Sequence, residues 1–282
     1  MSQGRAHRQA AAKVLRLLLT SSFLLPPSAV GWAAHPFITD DTGTQGAGKW
    51  QLELLAERNR HDSTAPTAAG PVQQERRFSI LTPVLTAGVR DNVDLALGLS
   101  RLRQRVTENG VVTEDVRGAS DTSVDLKWRF HDAGGTSLAL KPSLLLPTGD
   151  EARGLGTGRT SYGLVAIATR EAEPWTFSAN LAYARLRYKR PQDAAGSHGD
   201  LWRLSGGASY AVREGMKLVG ELGARTNEAR DDPFLPGRNG HYAMLGLIYS
   251  PAKQLDLDVG FRKSVNHAEL DRAFLAGATF RW

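Results

Sequence analysis

Apolar residues recur at every second position through most of this chain, in segments bounded by turns, and this repeat limits the fold more than any other feature. On 93–99, Val93, Leu95, Leu97 and Leu99 face one way and Asp94, Ala96 and Gly98 the other. On 123–130, Val124, Leu126, Trp128 and Phe130 oppose Ser123, Asp125, Lys127 and Arg129. Met216, Leu218, Gly220 and Leu222 oppose Lys217, Val219 and Glu221, and Leu255, Leu257, Val259 and Phe261 oppose Asp256, Asp258, Gly260 and Arg262. The last segment sets Phe274, Ala276, Ala278, Phe280 and Trp282 against Gly277, Thr279 and Arg281. Beyond the first thirty or so residues no heptad or 3.6-residue period competes with this pattern.

Twelve strands follow: 49–59, 77–89, 92–103, 120–131, 136–147, 160–170, 174–187, 200–212, 215–226, 240–250, 253–264 and 271–282. Their connections alternate in length. Arg90-Asp91, 132–135, 171–173, Arg213-Glu214 and Pro251-Ala252 are short; 60–76, 104–119, 148–159, 188–199, 227–239 and 265–270 are long. Tight turns on one side and long loops on the other are what a transmembrane up-and-down antiparallel β-barrel needs, and an even strand count leaves no edge unpaired in lipid. The expected fold is therefore all-β, a barrel of about 12 strands with both chain ends on the periplasmic side. In that topology Trp50, Trp128, Phe130, Trp175, Phe177, Tyr210, Tyr249, Phe280 and Trp282 fall near periplasmic strand ends. Phe78, Tyr162, Trp202, Tyr242 and Phe261 fall near outer ends. Two girdles of this kind suit the membrane interface. The competing architecture, a soluble β-sandwich, would place large rings mid-strand and would not sort its loops by side.

Residues 1–33 read as a secretory signal peptide. Arg5, Arg8, Lys13 and Arg16 precede the apolar run 17–25, and Gly31 and Ala33 occupy the −3 and −1 positions for cleavage after Ala33. Ala29 and Gly31 offer a second site. The interrupted run is too short for a membrane anchor, which needs roughly 20 apolar residues. The formal charge of +6 then falls to +2, because the four basic residues of 1–33 meet no acid there. With that excess gone, no basic stripe remains to bind nucleic acid. A mean hydropathy of −0.31 excludes a bundle of membrane helices but not half-apolar barrel strands. The absence of cysteine removes disulfides, thiolate metal sites and a catalytic thiol. The chain thus divides into a signal (1–33), a periplasmic N-terminal segment (34–48) that is ordered and can tuck into the barrel mouth, and the barrel itself (49–282).

Several stretches carry a family resemblance. They are Phe37-Ile-Thr-Asp-Asp-Thr-Gly-Thr-Gln-Gly46 with Gln51-Leu-Glu53, and Ser120-Asp-Thr-Ser-Val-Asp-Leu-Lys-Trp-Arg-Phe130. Lys141-Pro142, Leu146-Pro-Thr-Gly-Asp150, Gly154-Leu-Gly-Thr-Gly158, Asp200-Leu-Trp202 and Leu218-Val-Gly-Glu-Leu-Gly223 complete them. The chain resembles, from about residue 35 to its end, the outer-membrane transporter family named for the meta-pathway of phenol degradation. The resemblance implies an outer-membrane β-barrel and a channel for small aromatic or hydrophobic compounds. It carries no binding residues over.

The strand phases nominate the inward face. Its acids are Glu53, Glu57, Asp94, Asp125, Glu221, Asp256 and Asp258; its bases are Lys127, Arg129, Lys141, Arg203, Lys217, Arg225, Arg262 and Arg281. These lumen-lining candidates nearly cancel, which argues against a strong ion filter and leaves two readings: a salt-bridged wall or a polar constriction. The glycine-rich loop 148–160 lacks phosphate-loop spacing and precedes a strand, so a flexible outer loop folding over the mouth is expected. Asp40-Asp41-Thr42-Gly43 lacks the later ligands of a calcium loop. No metal, cofactor or catalytic residue is expected, and the chain is read as a non-enzyme. Two hydrolase arrangements remain to be checked, His61-Asp62-Ser63 and the pair His241 and Ser264 at adjacent strand ends. The expected partners are outer-membrane lipid, an unidentified small solute, and the barrel-assembly machinery through the C-terminal strand ending in Trp282, with no nucleic acid. A plugged barrel acting through its outer loops stands as the alternative to a passive channel.

Overall fold

The computed structural model describes residues 36–67, 70–230, 234, 239–266 and 271–282. The expected signal peptide and its cleavage site lie outside these residues. Fourteen strand segments are hydrogen-bonded in one sheet. They are β1 (Trp50–Thr67), β2 (Gly70–Arg90), β3 (Val93–Gly98), β4 (Arg101–Glu108), β5 (Val111–Ala119), β6 (Thr122–Ala133) and β7 (Thr136–Leu146). They continue as β8 (Ser161–Ala172), β9 (Trp175–Arg185), β10 (Asp200–Arg213), β11 (Met216–Thr226), β12 (Asn239–Ala252), β13 (Leu255–Ser264) and β14 (Arg272–Arg281). A short helix, α1 (Pro191–Gly196), sits between β9 and β10.

The fourteen segments make twelve staves, because two staves are each broken once. β3 and β4 both pair with β2, and β6 and β5 pair with β3 and β4 in turn. The first break, at Leu99-Ser100, faces Pro83. Leu99 donates its N–H to the Pro83 carbonyl at 3.0 Å, and proline has no N–H with which to return the bond. β1 pairs with both β2 and β14, which closes the barrel. Backbone bonds between Trp50 and Trp282 (2.9 and 3.1 Å) finish the seam.

Two connections differ from the sequence reading. Segments 60–76 and 104–119, expected as loops, continue the β1–β2 and β4–β5 ladders well past the apolar belt. β1 and β2 reach 18 and 21 residues, against roughly 9–11 needed to span a bilayer. Beyond the belt the outer face meets water and the inner face buries polar groups (His61, Gln74 and Arg76), so nothing selects alternating apolar residues and the period-two signal fades while the hydrogen-bond ladder continues.

The outward face is apolar and uncovered: Leu54, Leu81, Leu97, Leu126, Leu164, Leu204, Leu222 and Val259 are all exposed, with Leu222 at 67% and Leu245 at 72%. On a water-soluble protein a continuous belt of this size would drive aggregation; in hydrocarbon it is the solvated face. Aromatic rings mark its short-turn edge, where Trp175 lies 4.8 Å from Tyr210 and 5.8 Å from Phe177, and Phe280 lies 5.6 Å from Trp282. Tyr183 and Trp202, 4.8 Å apart, and Phe261 and Phe274, 5.0 Å apart, mark the outer edge. A closed sheet with this belt is an outer-membrane β-barrel.

Candidate functional site: the barrel interior and its N-terminal segment

Residues 36–48 run inside the barrel rather than ahead of it. Ile38, Thr39, Asp40, Thr42, Thr44 and Gln45 are all buried. The segment expected to tuck into the periplasmic mouth reaches further in: it starts at mid-height against β12 and β13 and descends past most of the wall to the short-turn rim at Gly46. Three glycines make room for its start. A methyl group on Gly246 or Gly260 would lie 2.4 or 2.7 Å from the Pro36 ring, and one on Gly207 would lie 2.9 Å from the Phe37 ring.

The wall meets the segment's backbone with buried polar groups. Glu221 Oε2 accepts from the N–H of Ile38 (2.8 Å) and Thr39 (3.0 Å), while its Oε1 accepts from the Tyr242 hydroxyl at 2.6 Å. Asn180 brackets Asp40, accepting from its N–H at 2.6 Å and donating to its carbonyl at 2.8 Å. Thr42 N–H donates to Thr169 Oγ1 at 3.1 Å, and Thr42 Oγ1 bonds Ser137 Oγ. Asp94 accepts from the Gln45 N–H at 3.1 and 3.0 Å. An irregular backbone is tolerated at membrane depth only with such satisfaction.

Asp40 supplies the charge. Lys127 Nζ lies 2.9 Å from its Oδ1 and Lys141 Nζ 2.6 Å from its Oδ2, all three side chains being buried. Lys127 Nζ also donates to the carbonyls of Asp41 (2.8 Å) and Gly43 (3.3 Å). An ammonium buried alone is costly, so two lysines sharing one carboxylate tie the segment to β6 and β7.

The other candidates sort by height. Glu57 pairs with Arg262 at 2.6 Å, both buried, and the Arg262 guanidinium lies over the Tyr242 ring at 5.7 Å. Asp256 and Arg281 pair at 2.7 Å, and Arg281 Nε donates to Gln51 at 3.0 Å. Glu53 and Arg203 are buried on β1 and β10, and Asp125 is buried beside Lys141, Ser123 and Ser143. Asp258 is buried with neither carboxylate oxygen hydrogen-bonded among the described residues. Arg129 reaches Asp132 at 3.2 Å at the rim, Lys217 is exposed, and Arg225 is half-buried. Arg129 and Lys217 share, with Phe37 and Asp41, the walls of a cavity of ≈ 430 Å³ at the short-turn mouth.

The outer half of the interior carries apolar clusters beside buried polar groups such as His61, Arg76 and Gln104. Phe78 and Leu102 pack with Leu155, and Ala184, Leu186 and Leu201 form a second group with Tyr188 against it. Met244, Ala273 and Leu275 form a third, touched by Phe37. Leu155 belongs to the loop after β7, which is anchored rather than loose. Asp121 accepts from Gly149 N–H (2.8 Å), Thr157 N–H (2.8 Å) and Thr157 Oγ1 (2.9 Å).

Neither hydrolase arrangement forms. His241 is exposed on the outer face of β12 while Ser264 is buried on the inner face of β13, so the wall separates them. His61 Nε2 bonds the Phe234 carbonyl at 2.8 Å and its Nδ1 faces Asp271 at 3.3 Å, whereas the Ser63 hydroxyl has no hydrogen bond among the described residues. Among the described residues no group of three or more His, Cys, Asp or Glu could hold a metal ion.

Asp40, Asn180, Thr169, Gln45 and Tyr242 were absent from the alternation-based set. The available signal was the polar run 38–46 directly before the first strand, which has no alternation of its own yet carries Asp40 and Asp41.

Solved structures share this architecture. An outer membrane channel from Pseudomonas putida F1 superposes with a TM-score of 0.61 at 16% identity, covering 86% of this chain and 98% of that one. The NanC porin gives 0.50 at 11% identity, covering 81% and 98%. The β domain of the Bordetella autotransporter BrkA gives 0.50 at 15%, covering 84% and 100%. At these identities the likeness is one of fold. No curated protein matches the chain in sequence. The family described as "MetA-pathway of phenol degradation" matches residues 33–282. A match over nearly the whole chain, on a closed barrel of this form, places the protein in that family.

Proposed function

We propose that the protein is an outer-membrane channel passing small apolar or aromatic solutes passively, with residues 36–48 as its constriction. The observation that carries this reading is the set of apolar clusters on the outer side of the interior. Apolar clusters around Phe78, Leu102, Leu155, Leu186 and Leu201 lie on the outer side, and the charged segment around Asp40 lies below them. A solute with a ring and few polar groups gains by leaving water for the outer half. It then meets a neutralised polar region that attracts neither anions nor cations strongly. The fifteen inward candidates serve here as wall and constriction, and Asp258 adds an acceptor near Pro36. Neither ATP nor a cofactor enters this mechanism. Solute-dependent swelling of liposomes containing the purified protein tests it: faster swelling with small aromatic alcohols than with sugars of equal size supports the reading. The snug seating of 36–48 favours a second reading, a plugged barrel that works through its outer loops. Absence of swelling with every solute, together with swelling that appears once the segment is dislodged, would decide for it.

A further inference from the structure

Just above the apolar belt, basic residues line up across five neighbouring strands. Lys263 of β13 stands opposite Arg272 of β14, Arg272 opposite Arg60 of β1, Arg60 opposite Arg77 of β2, and Arg77 opposite Arg105 of β4. One step nearer the membrane, Arg58 stands opposite Ser79, and Ser79 opposite Arg103, which faces Arg117 of β5. Arg101 stands opposite Leu81, lower again. These side chains share the outward face with the lipid-facing Leu54, Leu81, Leu97 and Phe274.

Like charges placed directly opposite in a sheet are destabilising. Three acids relieve this face in part. Arg60 pairs with Asp62 (2.8 Å) and Glu75 (2.7 Å), Arg77 with Glu75 (2.7 Å), Arg272 with Asp62 (3.5 Å), and Arg103 with Asp115 (2.7 Å). Arg58, Arg101, Arg105, Arg117 and Lys263 make no ion pair among the described residues. At the same height on β8 to β10 the outward residues are Tyr162, Tyr183 and Trp202, and Arg185 is paired with Asp200. The row of directly opposed basic residues therefore lies on one side of the barrel. It also has a shape: the small Ser79 leaves a concavity of ≈ 560 Å³, bordered by Arg58, Arg101, Arg103 and Arg117 and bottomed by Leu81 and Phe274.

We propose that this concave basic face binds the phosphate groups of a phosphorylated glycolipid in the outer leaflet, with its acyl chains lying along Leu81, Leu97 and Phe274. Guanidinium groups grip phosphate oxygens in pairs, and four of them around one hollow suit a multiply charged headgroup better than a single anion. The apolar floor, continuous with the belt, selects a lipid over free phosphate. The proposal depends on the barrel's place in the outer membrane and not on what passes through it.

The test is a binding titration of the purified, folded protein in neutral detergent against bisphosphorylated lipid A, the same lipid with its phosphates removed, and orthophosphate. Wild type should bind the bisphosphorylated lipid about tenfold more tightly than the dephosphorylated one, and the preference should shrink as salt rises from about 0.1 to about 0.5 M. The triple variant Arg58→Gln, Arg101→Gln, Arg117→Gln removes charges that border the hollow and make no ion pair among the described residues. It should lose that preference while keeping the heat-modifiable gel mobility of a folded barrel. A charge-matched control at the short-turn end, Arg90→Gln, Arg213→Gln, Lys253→Gln, should bind as wild type does. Should the triple variant fail to fold, Arg101→Gln alone should weaken binding about threefold. Equal affinity for the two lipids, wild-type binding by the folded variant, or full competition by millimolar orthophosphate would each overturn the proposal.

Discussion

Lys127 Nζ lies 2.9 Å from Asp40 Oδ1, across 87 residues of sequence, with neither side chain exposed to solvent. Lys141 takes the other oxygen of the same carboxylate at 2.6 Å. One aspartate thus carries the charge balance of the segment inside the barrel. Asp40→Asn would take from Lys141 its 2.6 Å partner and leave Lys127 with only Asp41 at 4.0 Å; breaking a buried pair costs on the order of 3–5 kcal/mol. Urea unfolding of the detergent-solubilised protein should show this loss, and adding Lys127→Met and Lys141→Met to the variant should recover most of it. An unchanged midpoint in the single variant would contradict the electrostatic account.

Gly260→Val tests the seat of the segment without touching a charge. Its Cβ would fall 2.7 Å from Pro36 Cβ, and Pro36 also fills the space over Gly246. The wall is held by its ladder of hydrogen bonds, so the segment is the part that yields. We expect wild-type heat-modifiable migration, a higher single-channel conductance in planar bilayers and faster proteolysis near Phe37. Unaltered conductance with a demonstrably displaced segment would remove it from the permeation path.

Asp121 holds the loop after β7 through three hydrogen bonds. Asp121→Ala removes their common acceptor and leaves two backbone N–H groups unsatisfied, with a penalty of roughly 1–3 kcal/mol for each that stays buried. The loop should detach and withdraw Leu155 from Phe78 and Leu102. Limited trypsin digestion should then cut at Arg153 or Arg159 faster than in wild type, with the barrel intact.

A pH effect is expected in the β4–β5 extension, outside the membrane. Partial burial raises the Glu114 carboxyl from its ordinary range to about 7, against the opposing influence of Arg76. A raised acid favours its protonated form in the folded state. Its contribution is therefore most favourable below the unfolded pKa of about 4.5 and is lost as pH rises to about 7. Asp115, held low by Arg103, has the opposite sign but is fully exposed and counts for little. Amide exchange of Val106 and Val116 should accelerate between about pH 5 and 7 beyond the intrinsic rate, and Glu114→Gln should abolish the excess.

The legible parts of this fold are those whose two faces meet different solvents. Leu95 and Leu97 meet lipid while Asp94 and Ala96 meet the interior, so alternation on β3 reads directly as a wall. Where the outer face meets water and the inner face is polar, as on 60–76, the same ladder left no such trace. The break at Leu99-Ser100 was hidden for another reason: it is imposed by Pro83, a residue on a neighbouring strand. Lys127, Lys141, Asp94 and Glu221, which the inward phase nominated, are buried side chains; phase is a local property and so is open to reading.

Their partners were not local. Ile38 and Glu221 are separated by 183 positions and Asp40 and Asn180 by 140. No periodicity in either stretch encodes that meeting. The sequence by itself determined a twelve-stave wall, since each strand's faces follow from the free energy of placing its own side chains in lipid or away from it. Only the tertiary structure decided that residues 36–48 cross the interior, because closure of the barrel is what brings β3, β6, β7, β9 and β11 around one volume. The buried charges and amides there then had to be satisfied by whichever segment could reach them.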